Sequence, residues 1–337
     1  MRAVAYQKPQ SISEESSLID VELPMPAAKD RDLLVEVKAI SVNPVDTKVR
    51  ASATPAAGQY KVLGWDAAGI VKAIGPDVTM FKPGDEVYYA GALERDGSNA
   101  EYHLVDERIV ALKPKNLDFS AAAALPLTSI TAYEALYDRL RVQDPVPGAA
   151  PAILIIGGAG GVGSIAIQLA RTLTDLTVIA TASRPETSDW IKDLGAHHVV
   201  DHSKPLAAQI DALGTGAPSF VFSTTNTGDH LAEIATLIAP QGRFALIDDP
   251  KTLDIMPFKR KSVSVHWEFM FTRSMFKTAD MIEQHKLLTE VAGLIDAGKL
   301  RTTLSEVLGT ISADNLKKAH RMLESGRTKG KIVLAGF

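Results

Sequence analysis

The spacing of apolar positions changes character near residue 120. Over residues 33–40 (LLVEVKAI) apolar and polar side chains alternate, the period of a strand with one buried face. Residues 64–74 and 86–89 read as further strands, and Gly75-Pro76, Lys82-Pro83-Gly84 and Asp96-Gly97 mark turns between such segments. This pattern predicts a mainly β, barrel-like first region. Within it, residues 50–60 (RASATPAAGQY) carry no period and read as a mobile loop. Beyond residue 120, helical and strand patterns alternate. An alanine-rich helical stretch over 121–136 is interrupted near Pro126, and strands are predicted at 153–156, 177–181, 198–200, 219–222, 244–247 and 263–267. Helices are predicted at 164–173 and 187–194, then at 283–297 and 313–324, before a last strand at 331–334. Short apolar strands separated by helices predict a parallel sheet covered on both faces.

One stretch imitates a membrane span: residues 145–170 contain no charged side chain. Five glycines between 157 and 163, with prolines at 145, 147 and 151, fit a buried strand, a glycine turn and an apolar helix better. The first ten residues, MRAVAYQKPQ, contain no apolar core, which predicts no secretion signal and a cytoplasmic protein. A hydrophobic share of 46% with 23% charged residues describes an ordinary globular chain. The net charge of −4, without runs of like charge, argues against nucleic-acid or membrane partners. The chain has no cysteine, which excludes disulfides, thiolate metal sites and a cysteine nucleophile, and leaves the redox compartment open.

The chemistry is most legible in the glycine turn. Gly158, Gly160 and Gly163 form G-x-G-x-x-G between a predicted strand and a predicted helix, within the run Gly160-Gly161-Val162-Gly163. Glycines there permit a tight turn, close approach of backbone to a pyrophosphate, and close packing of helix on strand. The phosphates then meet free N–H groups at the helix N-terminus. The following strand runs on as VIATASR (178–184), so Ser183 and Arg184 stand where an NAD site would carry a carboxylate for the ribose 2′-hydroxyl. A hydroxyl and a guanidinium suit a 2′-phosphate, which a carboxylate would repel, so the predicted cofactor is NADP(H). Tyr60, at the end of the unpatterned loop, is a candidate for closing over a substrate or acting as an acid, or is simply an exposed loop tyrosine.

Several segments, in order, extend this reading. VNPVD (42–46), LGWDAAGIV (63–71), KPGDEV (82–87), GSNAEY (97–102), LPLTSITAYEAL (125–136), IIGGAGGVG (155–163), LGAHHVVDH (194–202) and KGKIVL (329–334) span almost the whole chain. Together they resemble the medium-chain dehydrogenase/reductases, in the zinc-free branch of quinone oxidoreductases and zeta-crystallin. The resemblance implies an α/β protein in which a Rossmann domain, a doubly wound parallel sheet (126–298), is inserted into a GroES-like, mainly β catalytic domain (1–125, completed by 299–337). It also implies an active site in the cleft between the two, and a homodimer formed through the strand at 263–267.

Zinc enzymes of that superfamily hold catalytic metal with Cys, His and Cys. The matching positions here are Asn43, Trp65 and Leu127, and the cysteine-rich lobe is missing between Tyr89 and Tyr102. The expectation is therefore no metal, and NADPH-dependent reduction of a small quinone or α,β-unsaturated carbonyl. The resemblance further implies roles for individual side chains. Asn43 would donate to the substrate oxygen or else open the turn, with Asp46 beside it as a structural or catalytic partner. Thr131 would lie beside the nicotinamide, and His202 near the adenosine 2′-phosphate where relatives carry tyrosine. Phe269, Met270 and Phe271 would form a wall beside the nicotinamide, the alternative being plain packing. Lys331 would face the cleft, or be a solvated cation at a strand end. Two other readings stay open: a zinc-dependent alcohol dehydrogenase, and a non-catalytic, crystallin-like NADPH-binding protein.

Overall fold

A computed structural model describes all 337 residues, Met1–Phe337. The chain divides into two domains, Met1–Ile130 with Phe271–Phe337, and Thr131–Met270.

The second domain is built on six parallel strands. In chain order they are β1 (Ala150–Ile156), β2 (Thr177–Thr181), β3 (His198–Val200), β4 (Pro218–Ser223), β5 (Arg243–Leu246) and β6 (Ser264–Trp267). Their order across the sheet is 3-2-1-4-5-6. That is the doubly wound dinucleotide arrangement, in which the order reverses at β1. The central strands are apolar on both faces because helices cover both: every residue from Ala152 to Ile156 and from Val178 to Thr181 is buried. Helix α1 (Gly161–Leu173) follows β1 and is buried from Gly163 to Ala170. Helix α2 (Pro185–Asp193) follows β2.

The first domain centres on the strand Asp32–Ser41, whose residues alternate between buried and half-buried until its last turn inward. It pairs antiparallel with Ala67–Ile74, with Tyr102–Asp106 and, at its far end, with the terminal strand Lys331–Ala335. Val333 lies opposite Ser41 and Ala67 opposite Ile40, so Lys331, Asp66 and Asn43 are brought to one end of the sheet.

Two expectations need correction. The chain returns to the first domain at residue 271, not at 299. The helix Glu283–Asp296 buries Leu287, Leu288, Val291 and Ile295. It is pinned where Tyr88 Oη donates to Leu288 O at 2.5 Å and His285 Nδ1 meets Val110 O at 2.6 Å. The unpatterned segment also begins later than residue 50, because the helix Pro44–Ser52 includes Arg50 and buries it. The Arg50 guanidinium donates to Gln10 O at 2.5 Å, to His320 Nδ1 at 3.3 Å and to the carboxylate of Glu324.

Candidate functional site

In the second domain the carboxyl ends of β1 to β4 carry the turn the sequence singled out. Gly157 has φ +81°, and a Cβ there would lie 2.4 Å from Thr224 Oγ1. A Cβ on Gly163 would lie 2.3 Å from Gly157 O, so this glycine is what lets α1 close against β1. Gly160 differs: its nearest neighbour to an added Cβ is Gly157 O at 3.5 Å, an ordinary contact facing open space. Gly160 also caps α1 without any capping side chain, so the first amides of the helix, Gly161, Val162 and Gly163, are offered to an anion. The turn therefore fits a dinucleotide pyrophosphate.

Around it, Thr181 Oγ1 accepts from Gly157 N at 3.0 Å and pairs with His202 Nδ1 at 3.0 Å. His202 is thus fixed to the glycine turn, and burial, then the neighbouring His230, hold its pKa below the usual value. Ser183 is exposed. Arg184 extends from the start of α2 with its Nε 2.8 Å from Glu186 Oε1. The carboxylate missing from the end of β2 is therefore present two residues past the arginine. Trp190 was not singled out from sequence; its Nε1 donates to Ser164 Oγ at 2.8 Å and ties α2 to α1.

In the first domain a buried polar cluster forms where three strand ends meet. Lys331 Nζ, 4% exposed, donates to Val42 O at 2.9 Å, to Asp66 Oδ2 at 2.9 Å and to Asn43 Oδ1. Those bonds use all three ammonium hydrogens. Asn43 Nδ2 donates to Ser41 O at 3.3 Å and to Asp66 Oδ2 at 2.9 Å, while Asp66 Oδ1 accepts from Leu127 N at 2.7 Å. Asp46 Oδ2 accepts from Asn43 N at 2.6 Å, which closes the first turn of the helix Pro44–Ser52. Burial pushes the Asp46 carboxyl up to about 7, against the lowering effect of Asn43 N–H and Lys331. Burial also raises Asp66, opposed here first by the Lys331 charge.

These contacts revise two roles. Lys331 is not a solvated strand-end cation, and its donors are spent inside the domain rather than held out to a cofactor. Asn43 likewise spends both amide hydrogens on Ser41 and Asp66 instead of offering one to a substrate. Asp66 is the residue that sequence reasoning missed, although it stands within LGWDAAGIV; its partner Lys331 is 265 positions away.

Comparison with known proteins places the chain. A family model for the alcohol dehydrogenase GroES-like domain matches residues 29–115, and one for zinc-binding dehydrogenases matches residues 194–334. A zinc-type alcohol dehydrogenase-like protein of Staphylococcus aureus is 41% identical over 336 residues, 99% of each chain. The chain belongs to the medium-chain dehydrogenase/reductases. It is an oxidoreductase of that superfamily, whose fold binds nicotinamide cofactors. A 2-methylene-furan-3-one reductase of Solanum lycopersicum is 30% identical over 94% of this chain and 74% of its own. Among solved structures, a putative zinc-dependent alcohol dehydrogenase protein from Rhizobium etli is similar with a TM-score of 0.99 and 67% identity, covering 100% of this chain and 98% of its own.

Zinc is implied by those names, and the residues do not fit it. Trp65 is fully buried, donates Nε1 to Ala92 O at 3.1 Å, and meets Phe271 edge-on with centroids 6.1 Å apart. Leu127 has no side-chain atom that could ligate a metal and gives its backbone N–H to Asp66, and Asn43 is bonded to a lysine ammonium. No group of three His, Asp or Glu side chains is arranged to hold a metal ion.

The remaining sequence candidates separate. Thr131 is buried at the first position of the second domain, on the helix Pro126–Tyr133. Tyr60 is 38% exposed, one residue before the short strand Lys61–Val62. Of the three residues expected beside the nicotinamide, Phe269 is 46% exposed, Met270 is buried, and Phe271 is buried edge-on to Trp65.

Proposed function

We propose that this oxidoreductase uses NADPH to reduce the conjugated double bond of small α,β-unsaturated carbonyls, or a quinone, without a metal ion. The reading is carried by the side chains at the positions that resemble a zinc ligand set, Asn43, Trp65 and Leu127, none of which suits the metal, and by the buried lysine ammonium bonded to the asparagine. A zinc alcohol dehydrogenase relies on its Lewis acid to stabilise an alkoxide. A conjugated acceptor does not, because charge arriving at carbon spreads into an enolate or hydroquinone. The name of the Solanum lycopersicum relative, a 2-methylene-furan-3-one reductase, supports the same acceptor class.

Bound NADPH would supply the hydride. The chain's own part begins with the amides of Gly161, Val162 and Gly163, which would hold the pyrophosphate against the helix dipole. Arg184 and Ser183 would take the 2′-phosphate, and the His202 imidazole is held near the glycine turn through Thr181. Thr131 and the backbone near Met270 would flank the nicotinamide. The Asn43–Asp66–Lys331 cluster would keep the end of the first-domain sheet rigid, and Tyr60 would lie over the acceptor.

The test is NADPH oxidation with a small enone and with 9,10-phenanthrenequinone before and after exhaustive EDTA dialysis, alongside NAD(P)-dependent alcohol oxidation. Turnover of the acceptors survives chelation, and alcohols are poor substrates. Stoichiometric zinc needed for turnover overturns the metal-free reading, and coenzyme binding without turnover across the panel favours a crystallin-like role. Arg184→Ala lowers kcat/KM for NADPH about tenfold or more, the scale of a lost charge-assisted contact, and barely alters NADH. A wild type that prefers NADH refutes the cofactor assignment.

A further inference from the structure

Glu186 sits where a second anion would be felt most. It occupies the first turn of α2, at the positive end of the helix dipole, with its side chain 60% exposed. Its Oε1 takes the Nε edge of Arg184 at 2.8 Å. The base of that arginine is well fixed: Arg184 N donates to Thr187 Oγ1 at 3.3 Å, and Pro185 holds the first helical position. Arg184 is also close enough to His202 to contribute, after burial and His230, to the lowering of the imidazole pKa. Arg184, His202 and Thr181 thus lie at or just past the ends of β2 and β3, with the His230 ring 6.3 Å from that of His202, and Glu186 is the carboxylate paired with the arginine.

We propose that Glu186 is a coenzyme-selectivity residue: its carboxylate holds the guanidinium edge that a ribose 2′-phosphate would take, which narrows the preference for NADPH over NADH. This rests on the NADPH reading above. A 2′-phosphate has to displace Glu186 from Arg184 or share the guanidinium with it, and two anions at one cation repel. A 2′-hydroxyl meets no such cost, since a carboxylate accepts its hydrogen bond. Exposed ion pairs are weak, so the expected effect is modest, about two- to fivefold. It falls on binding rather than on the chemical step.

The experiment compares wild type, Glu186→Gln, Arg184→Ala and the double variant. The readouts are kcat and KM with NADPH and NADH, and inhibition by 2′,5′-ADP and by 5′-AMP. Both substituted side chains are at least one-third exposed, so the variants fold. Glu186→Gln lowers KM for NADPH about two- to fivefold at constant kcat and tightens 2′,5′-ADP by the same factor. It leaves 5′-AMP unchanged, does not improve NADH, and loses its effect in the Arg184→Ala background. The inference fails if Arg184→Ala weakens 2′,5′-ADP while Glu186→Gln leaves it alone, or if Glu186→Gln tightens 5′-AMP equally. Failure of the underlying reading looks different: Arg184→Ala then has no effect on NADPH or 2′,5′-ADP at all.

Discussion

Glu268 directly follows β6, with its carboxyl buried against that of Glu134, which lies in the π-helical turn Glu134–Arg139. Arg139 Nε donates to Glu268 Oε2 at 2.8 Å, one cation for two buried acids. Burial first, then the Glu134 charge, raises the Glu268 pKa far above the carboxylate range, so the folded protein keeps a proton that the unfolded chain has released. A folded-state pKa above the unfolded one makes stability fall as pH rises, here from about pH 5 through neutrality, by at most ~1.4 kcal/mol per pH unit. Glu268→Gln keeps an oxygen for Arg139 and gains an amide donor for Glu134 while removing the titration. Its melting temperature therefore declines less between pH 5 and pH 8.5 than that of wild type, and the gap widens with pH. Parallel melting curves for the two proteins across that range would sink this account. Neither this pair nor the Asp66–Lys331 pair was legible in the sequence. Each joins residues more than 100 positions apart, and a lone Glu in a helical stretch or a Lys before a strand looks like a solvated charge until tertiary structure closes over it.

The β-α-β elements were far more legible, because period and glycine punctuation are local properties. The turn over 157–163 is legible as a spaced glycine motif, but the division of labour among its glycines depends on what each one packs against. Gly163 is required for packing: a methyl there meets the Gly157 carbonyl, a backbone atom that cannot step aside. Gly163→Ala is expected to cost about 1–3 kcal/mol, the range for overpacking a closed core, read as a lower urea midpoint. Gly160 has φ −69° and room for a methyl, so Gly160→Ala leaves the urea midpoint within experimental error of wild type. The methyl occupies the space a pyrophosphate would enter, and the KM for coenzyme rises about tenfold or more. Unchanged coenzyme KM in a folded Gly160→Ala protein would contradict the phosphate role of the turn. The segment over 50–60 was misread for the opposite reason. Arg50 is a helical, buried residue only because Glu324, 274 positions later, and the Gln10 carbonyl receive its guanidinium.

At the scale of the whole chain, the return to the first domain was foreseen and placed 28 residues too late, because the boundary lies in an irregular stretch after β6 that no period marks. The outer edge of β6 gives a prediction about assembly. Ser264 N reaches Gly242 O, just before β5, at 3.1 Å, and Glu268 N reaches Leu246 O, at its end, at 3.0 Å. Successive residues of a strand point their N–H and C=O groups to opposite sides, so those of Val265 and Trp267 face the open edge of the sheet. The strand has no proline or lysine to blunt that edge, and Trp267 is 53% exposed beside Phe269. An apolar, unprotected edge of this kind is a template for pairing. The expected state is a homodimer in which β6 of one chain extends the sheet of its partner, sedimenting at twice 36.1 kDa at micromolar concentration. Val265→Pro removes an outward donor without touching the bonds to β5, and Trp267→Lys places a charge on the edge; each converts the dimer to monomer. Wild type sedimenting at 36.1 kDa would refute the dimer, and dimers that survive both substitutions would place the interface on another surface.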